Sequence, residues 1–124
     1  MLPEDLKYTK EHEWIKFEGD FILIGITDYA QGELGDIVFV ELPSVGENFS
    51  ENDTIGTIEA VKTVADIYCP VDGEVVELNT EIENSPELIN SSPYNDGWLI
   101  KLKVSSGSKK DHLLTHKQYQ EIIL

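Results

Sequence analysis

The chain has 124 residues, 40% of them hydrophobic and 9% aromatic, and its 24 acidic residues against nine basic ones leave a net charge of −15. A chain of this length makes one domain, 1–124, which buries roughly two-thirds of the surface its unfolded form exposes, and the composition excludes disorder as the main state. A body this acidic repels phosphate backbones and anionic lipid, so nucleic acid and membranes are excluded as partners, and a soluble monomer steered toward basic protein surfaces is expected.

The predicted elements are mostly short strands. Trp14–Phe17 and Phe21–Ile24 flank Glu18-Gly19-Asp20 and read as a hairpin. Asp28, with Gln31 three residues on, reads as the N-cap of a short helix that Gly35 ends. Ile37–Val40 is an apolar strand stopped by Pro43 and Gly46. Two β-rich runs follow, Asp53–Ala60 and Thr63–Cys69, with Lys62 between them. Pro70-Val71-Asp72-Gly73 is a turn into a further strand, Glu74–Leu78. Ser85-Pro86 predicts an N-cap and first helical position for a brief helix through Ile89. Asn95-Asp96-Gly97 turns into the strand Trp98–Val104, Ser105–Lys110 is a polar linker, and Thr115-His116-Lys117-Gln118 is a capping box for a last helix. Short strands joined by turns predict an antiparallel sandwich or barrel with small helices at its ends.

Few residues suggest chemistry. Cys69 is the one cysteine, so no internal disulfide forms and a reducing compartment fits. Met1–Asp5 lacks a basic segment followed by an apolar one, so no signal peptide is expected. The location expected is the bacterial cytoplasm, or the mitochondrial matrix for a trimmed eukaryotic chain. Three Asn-x-Ser/Thr triplets, at Asn48, Asn52 and Asn90, read as ordinary turn residues. His112 and His116 have a zinc-like i,i+4 spacing, but only Asp111 stands near them and no metal site is expected. No nucleophile–base pair or phosphate-cradling glycine motif stands out, which argues against catalysis. Lys62 is different. Alone it would read as a solvated turn lysine, but a lysine at the tip of a β-hairpin is also reachable by an enzyme that acylates amines. Glu59 before it and Asp66 after it are charged landmarks for such an enzyme, or simply solvated acids.

The segment Ile55–Asn79, centred on Glu59-Ala60-Val61-Lys62-Thr63, resembles the lipoyl-attachment segment of the glycine cleavage H-protein family. The resemblance extends to Tyr8–Trp14, Gly25–Gln31, Leu34–Pro43, Ser85–Asn90, Pro93-Tyr94 with Gly97-Trp98, and Leu113-Leu114 with Tyr119, so it runs through nearly the whole chain in order. It implies a mainly β fold, two antiparallel sheets in a barrel-sandwich hybrid with a C-terminal helix. It implies lipoate on Lys62 and a non-catalytic carrier that shuttles an aminomethyl group from glycine decarboxylase to the aminomethyltransferase. Dihydrolipoamide dehydrogenase would reoxidise the arm, and a lipoate ligase or transferase would install it. It also implies that the segment holding Glu13 lines a cleft for the loaded arm, against the simpler reading of Glu13 as a strand-start acid. The family often has Ser where Ala60 stands and His where Tyr29 stands. Rival readings are a relay passing lipoate to other complexes, a lipoyl domain of a 2-oxoacid dehydrogenase, and an acidic β-domain that is never modified. Biotin acceptors usually place Met on both sides of the lysine, where this chain has Val61 and Thr63.

Overall fold

The structure, a computed structural model, describes residues 2–123, so Met1 and Leu124 of the expected domain lie outside the described residues. The strands are β1 (Lys7–Tyr8), β2 (Glu13–Glu18), β3 (Phe21–Ile26), β4 (Ile37–Glu41), β5 (Asn48–Phe49), β6 (Thr54–Ala60), β7 (Val64–Tyr68), β8 (Gly73–Leu78) and β9 (Ile100–Val104). The helices are α1 (Asp28–Leu34), α2 (Glu81–Asn84), α3 (Leu88–Ser91) and α4 (His116–Ile123). All strand pairs are antiparallel, in a six-stranded sheet ordered β1-β2-β3-β9-β8-β5 and a three-stranded sheet ordered β4-β6-β7. This is the mainly β, two-sheet fold expected of a lipoyl carrier.

Alternation along the strands builds the core. Ile22, Ile24, Val75, Ile100 and Leu102 turn inward from the large sheet and meet Val40, Ile55, Ile58 and Ile67 from the small one. A second cluster, Leu6, Tyr8, Trp14 and Tyr119, lies under α4, with the Tyr8 and Tyr119 rings stacked 4.8 Å apart. The hairpin β2–β3 turns tightly, with Glu18 opposite Phe21 and Gly19 at φ +66°, a backbone region that suits glycine. The predicted capping box closes in both directions: Gln118 N–H donates to Thr115 Oγ1, and Thr115 N–H donates to Gln118 Oε1.

Several boundaries differ from expectation. The N-cap of α1 is Thr27, not Asp28; Thr27 Oγ1 accepts from Ala30 N–H, while Asp28 Oδ1 accepts from the Gln31 amide. The helix expected from Pro86 starts at Leu88, because Pro86 and Glu87 form a preceding turn. The strand expected from Trp98 starts at Ile100. Trp98 N–H is drawn instead to Asn95 O, and Leu99 N–H to Ile24 O. Of the three asparagines read as turn residues, Asn52 is in a turn at φ +74°, but Asn48 is in β5 and Asn90 in α3. The single turn α2 and the two-residue strands β1 and β5 have no counterpart in the sequence reading.

Candidate functional site

β6 and β7 form a hairpin whose last ladder pair is Glu59 with Val64. Ala60 N–H donates to Thr63 O at 2.8 Å and closes the loop, so Val61 and Lys62 lie at the tip. Lys62 is exposed, and its ammonium makes no hydrogen bond or ion pair among the described residues. Ala60 is buried, where a small apolar side chain needs no polar partner.

The tip is fastened from behind. Val61 N–H donates to Asp36 O at 3.1 Å, in the connection from α1 to β4. That connection is clasped by Asn90. Asn90 Nδ2 donates to Gly35 O and Gln31 Oε1, and Asn90 Oδ1 accepts from Ile37 N–H. Asn90 therefore holds both sides of the carbonyl that pins the turn, a role that its Asn-x-Ser context did not indicate. Only its place inside the segment Ser85–Asn90 marked it.

Beside β7 lies a cavity of about 280 Å³, lined by Glu11, His12, Glu13, Tyr29, Glu33 and Asp66 over an apolar floor that includes Ile58, Ala65 and Ile67. It thus brings Glu13 and Asp66 together, while Glu59 and Lys62 are not in its wall. Glu13 does begin β2, but it is also buried. Glu13 Oε2 accepts from Tyr68 N–H at 2.7 Å, and Oε1 accepts from Thr9 Oγ1 at 2.9 Å. The Thr9 oxygen already accepts from Glu11 N–H and Glu13 N–H, so its proton is directed to the carboxylate. Burial raises the Glu13 carboxyl to about 7 against these two hydrogen bonds, which favour the ionised form. Glu13 ties the large sheet to the free edge of β7.

His12 and Tyr29 form another wall of the cavity, their rings 5.0 Å apart. His12 adopts φ +69°, and its Nδ1 lies 2.8 Å from Tyr119 Oη, which also lies 2.8 Å from Thr27 Oγ1. One tyrosine of α4 thus orients the imidazole and the cap of α1 together. Tyr29, half-exposed, donates to Glu33 Oε1, which holds the phenol proton and raises its pKa. Elsewhere, His112 Nε2 lies 2.6 Å from Pro70 O and 3.7 Å from Glu51 Oε2. Cys69 is buried, its thiol donates to Val71 O, and burial pushes its pKa up to about 12. It is a packed side chain rather than a reactive thiolate. No helix among the described residues is long and apolar enough to cross a membrane.

The architecture and the hairpin agree with comparisons against known proteins. A family model described as glycine cleavage H-protein matches residues 6–124. The glycine cleavage system H protein of Staphylococcus carnosus is 56% identical over 122 residues, 98% of this chain and 97% of the relative. That of Staphylococcus haemolyticus is 57% identical over the same shares. A crystal structure of a glycine cleavage system H protein from Mycobacterium marinum superposes with a TM-score of 0.89 at 39% identity, over 97% of each chain. The chain belongs to the glycine cleavage H-protein family, whose members carry lipoate and are carriers rather than catalysts.

Proposed function

We propose that Lys62 is the lipoyl-attachment residue and that this chain is the lipoyl carrier for cleavage of glycine. One observation carries the reading: a primary amine at a hairpin tip, exposed and unpaired among the described residues, on a backbone pinned from both sides. These residues fit the cofactor. An acylating enzyme needs an accessible amine, and a mobile arm needs a rigid base.

When bound, lipoate supplies a dithiolane that opens on reduction, holds a carried group on sulfur and closes on oxidation. The chain's residues do the rest. The β6–β7 ladder, Asp36 O and Asn90 fix where the arm leaves the protein. The apolar floor of the cavity, Ile58, Ala65 and Ile67, offers an aliphatic chain a surface out of water. Glu13 and Asp66, at one wall, favour a cationic end group on that chain. Tethering raises the local concentration of the carried group at each partner in turn.

The partners in this reading are glycine decarboxylase, which loads an aminomethyl group, the aminomethyltransferase, which removes it, and dihydrolipoamide dehydrogenase, which reoxidises the arm. A lipoate ligase or transferase comes first. The chain acts as a monomeric single domain, 1–124, in the cytoplasm of a bacterium. The relatives from Staphylococcus support that setting.

The test is intact mass after incubation with lipoate, ATP and a lipoate ligase. The chain should gain one lipoyl group, and Lys62→Arg none. Arginine keeps the charge and, at an exposed site, changes stability by no more than about 0.5 kcal/mol. An equal gain by Lys62→Arg would move the attachment elsewhere.

A further inference from the structure

Eight large apolar side chains are exposed among the described residues, and four of them, Val38, Phe39, Val61 and Val64, belong to the β4-β6-β7 sheet or its tip. The register explains the grouping. Phe39 pairs with Glu59 and Glu59 pairs with Val64, so these three side chains form one row across the three strands. The next row is Val40, Ile58 and Ala65, and its Val40 and Ile58 are buried; alternation therefore turns the Phe39 row outward. Phe39 is 52% exposed, Val64 60% and Val61 71%, values far from those of a packed sheet face. The following outward row is Glu41, Thr57 and Asp66.

The result is an apolar strip with Lys62 at its upper end, Glu59 within it and Glu41 and Asp66 below. Scattered exposed apolar residues need no explanation, but a strip beside the exposed Lys62 at the hairpin tip does. Its position also separates it from the cavity. The cavity takes the inward side of the sheet, through Ile58 and Ile67, and only Asp66, on the edge strand, borders both. An arm resting in the cavity would leave the strip uncovered.

We propose that this outward face is the docking surface for the enzyme that acylates Lys62, a partner with an apolar seat ringed by basic groups. The inference rests on Lys62 being the attachment residue. Two features select this occupant. Before acylation there is no arm to grip, so recognition must use residues fixed around the bare lysine, and the ladder fixes Phe39, Glu59 and Val64. Their surroundings are acidic in a chain of net charge −15, and the complementary surface is basic. A buried apolar centre with a charged rim is the usual anatomy of such a contact.

The experiment measures the initial rate of lipoylation by intact mass, with lipoate, ATP and a purified lipoate ligase, for four chains: wild type, Phe39→Ser/Val64→Ser, Glu59→Lys and Phe17→Ser. Phe17 is exposed on the other sheet and serves as the control. Calorimetric titration of each unmodified chain with the ligase gives a second readout, and near-ultraviolet circular dichroism confirms the fold. Losing two central apolar contacts should lower kcat/KM and affinity at least about tenfold. Glu59→Lys should also bind more weakly, and Phe17→Ser should match wild type. If wild type is acylated at Lys62 and the folded double variant is acylated and bound equally well, the docking surface is wrong while the attachment reading stands. If wild type gains no mass at Lys62, the attachment reading fails and takes the surface with it. A wild-type chain that sediments as a dimer, dispersed by the double substitution with lipoylation unchanged, would assign the strip to a second copy and overturn the proposal.

Discussion

Two residues of the candidate site stand out by opposite means. No described residue holds the Lys62 ammonium, whereas the Glu13 carboxylate is held on both oxygens away from water. The second has a measurable signature. The Glu13 carboxyl stands near 4.5 in an unfolded chain and is raised by burial to about 7 in the folded one. The folded state therefore binds the proton more tightly. The stabilisation this confers is fully present below pH 4.5 and is lost as pH rises to about 7. Comparing urea unfolding of wild type and Glu13→Gln from pH 4 to 8 isolates it, since the glutamine does not titrate. The wild type should lose up to about 3 kcal/mol relative to the variant across that window and then level off. A difference that stays flat with pH would place the Glu13 titration outside the window. The place of Lys62 at a hairpin tip was legible in the sequence because the signal was local: a lysine between two β-rich runs. The burial of Glu13 was not, because its acceptor role depends on Tyr68, 55 positions away along the chain.

Elements with strong local chemistry matched their sequence signals. The β2–β3 hairpin had a glycine at its turn, and α4 had a reciprocal cap. Elements held by tertiary contact did not. α2 is one turn with no side-chain cap, kept in place by buried Ile82. The shift of the α1 cap from Asp28 to Thr27 has the same origin, since Thr27 Oγ1 is also engaged by Tyr119 from α4. Close packing of β2 on β3 gives a sharper expectation. Gly25 faces Trp14, and a β-carbon at Gly25 would lie 2.5 Å from the indole ring, whose Nε1 donates to Pro93 O. Gly25→Ala must push Trp14 out of its pocket. It should lower stability by about 1–3 kcal/mol, with a change in tryptophan fluorescence. Unchanged thermal unfolding would mean that the indole has room to move.

At the scale of the molecule, the fold class followed from the count of short strands and turns, whereas the partition into six and three strands did not. Strand order depends on pairs such as β3 with β9 and β5 with β8, which are far apart in sequence. Charge, by contrast, is fully written in the sequence. A body of net charge −15 should meet its partner enzymes faster at low ionic strength. If glycine decarboxylase is the partner, as proposed, transfer rates with it should fall as salt rises from about 20 to 300 mM, mainly through KM, because screening acts on encounter more than on chemistry. Rates independent of salt would show that the acidic surface plays no part in docking.

The small sheet has two outer strands, and each is blunted. On β4 the register slips at Val38, which breaks the even spacing another strand would need. On β7 the carboxylate of Glu13 already occupies Tyr68 N–H. An exposed sheet edge is also a place where copies of the same chain could stack into fibres. The kink and the capped amide interrupt the row of backbone groups that a further strand of its own kind would need, while the face between them stays open to other proteins.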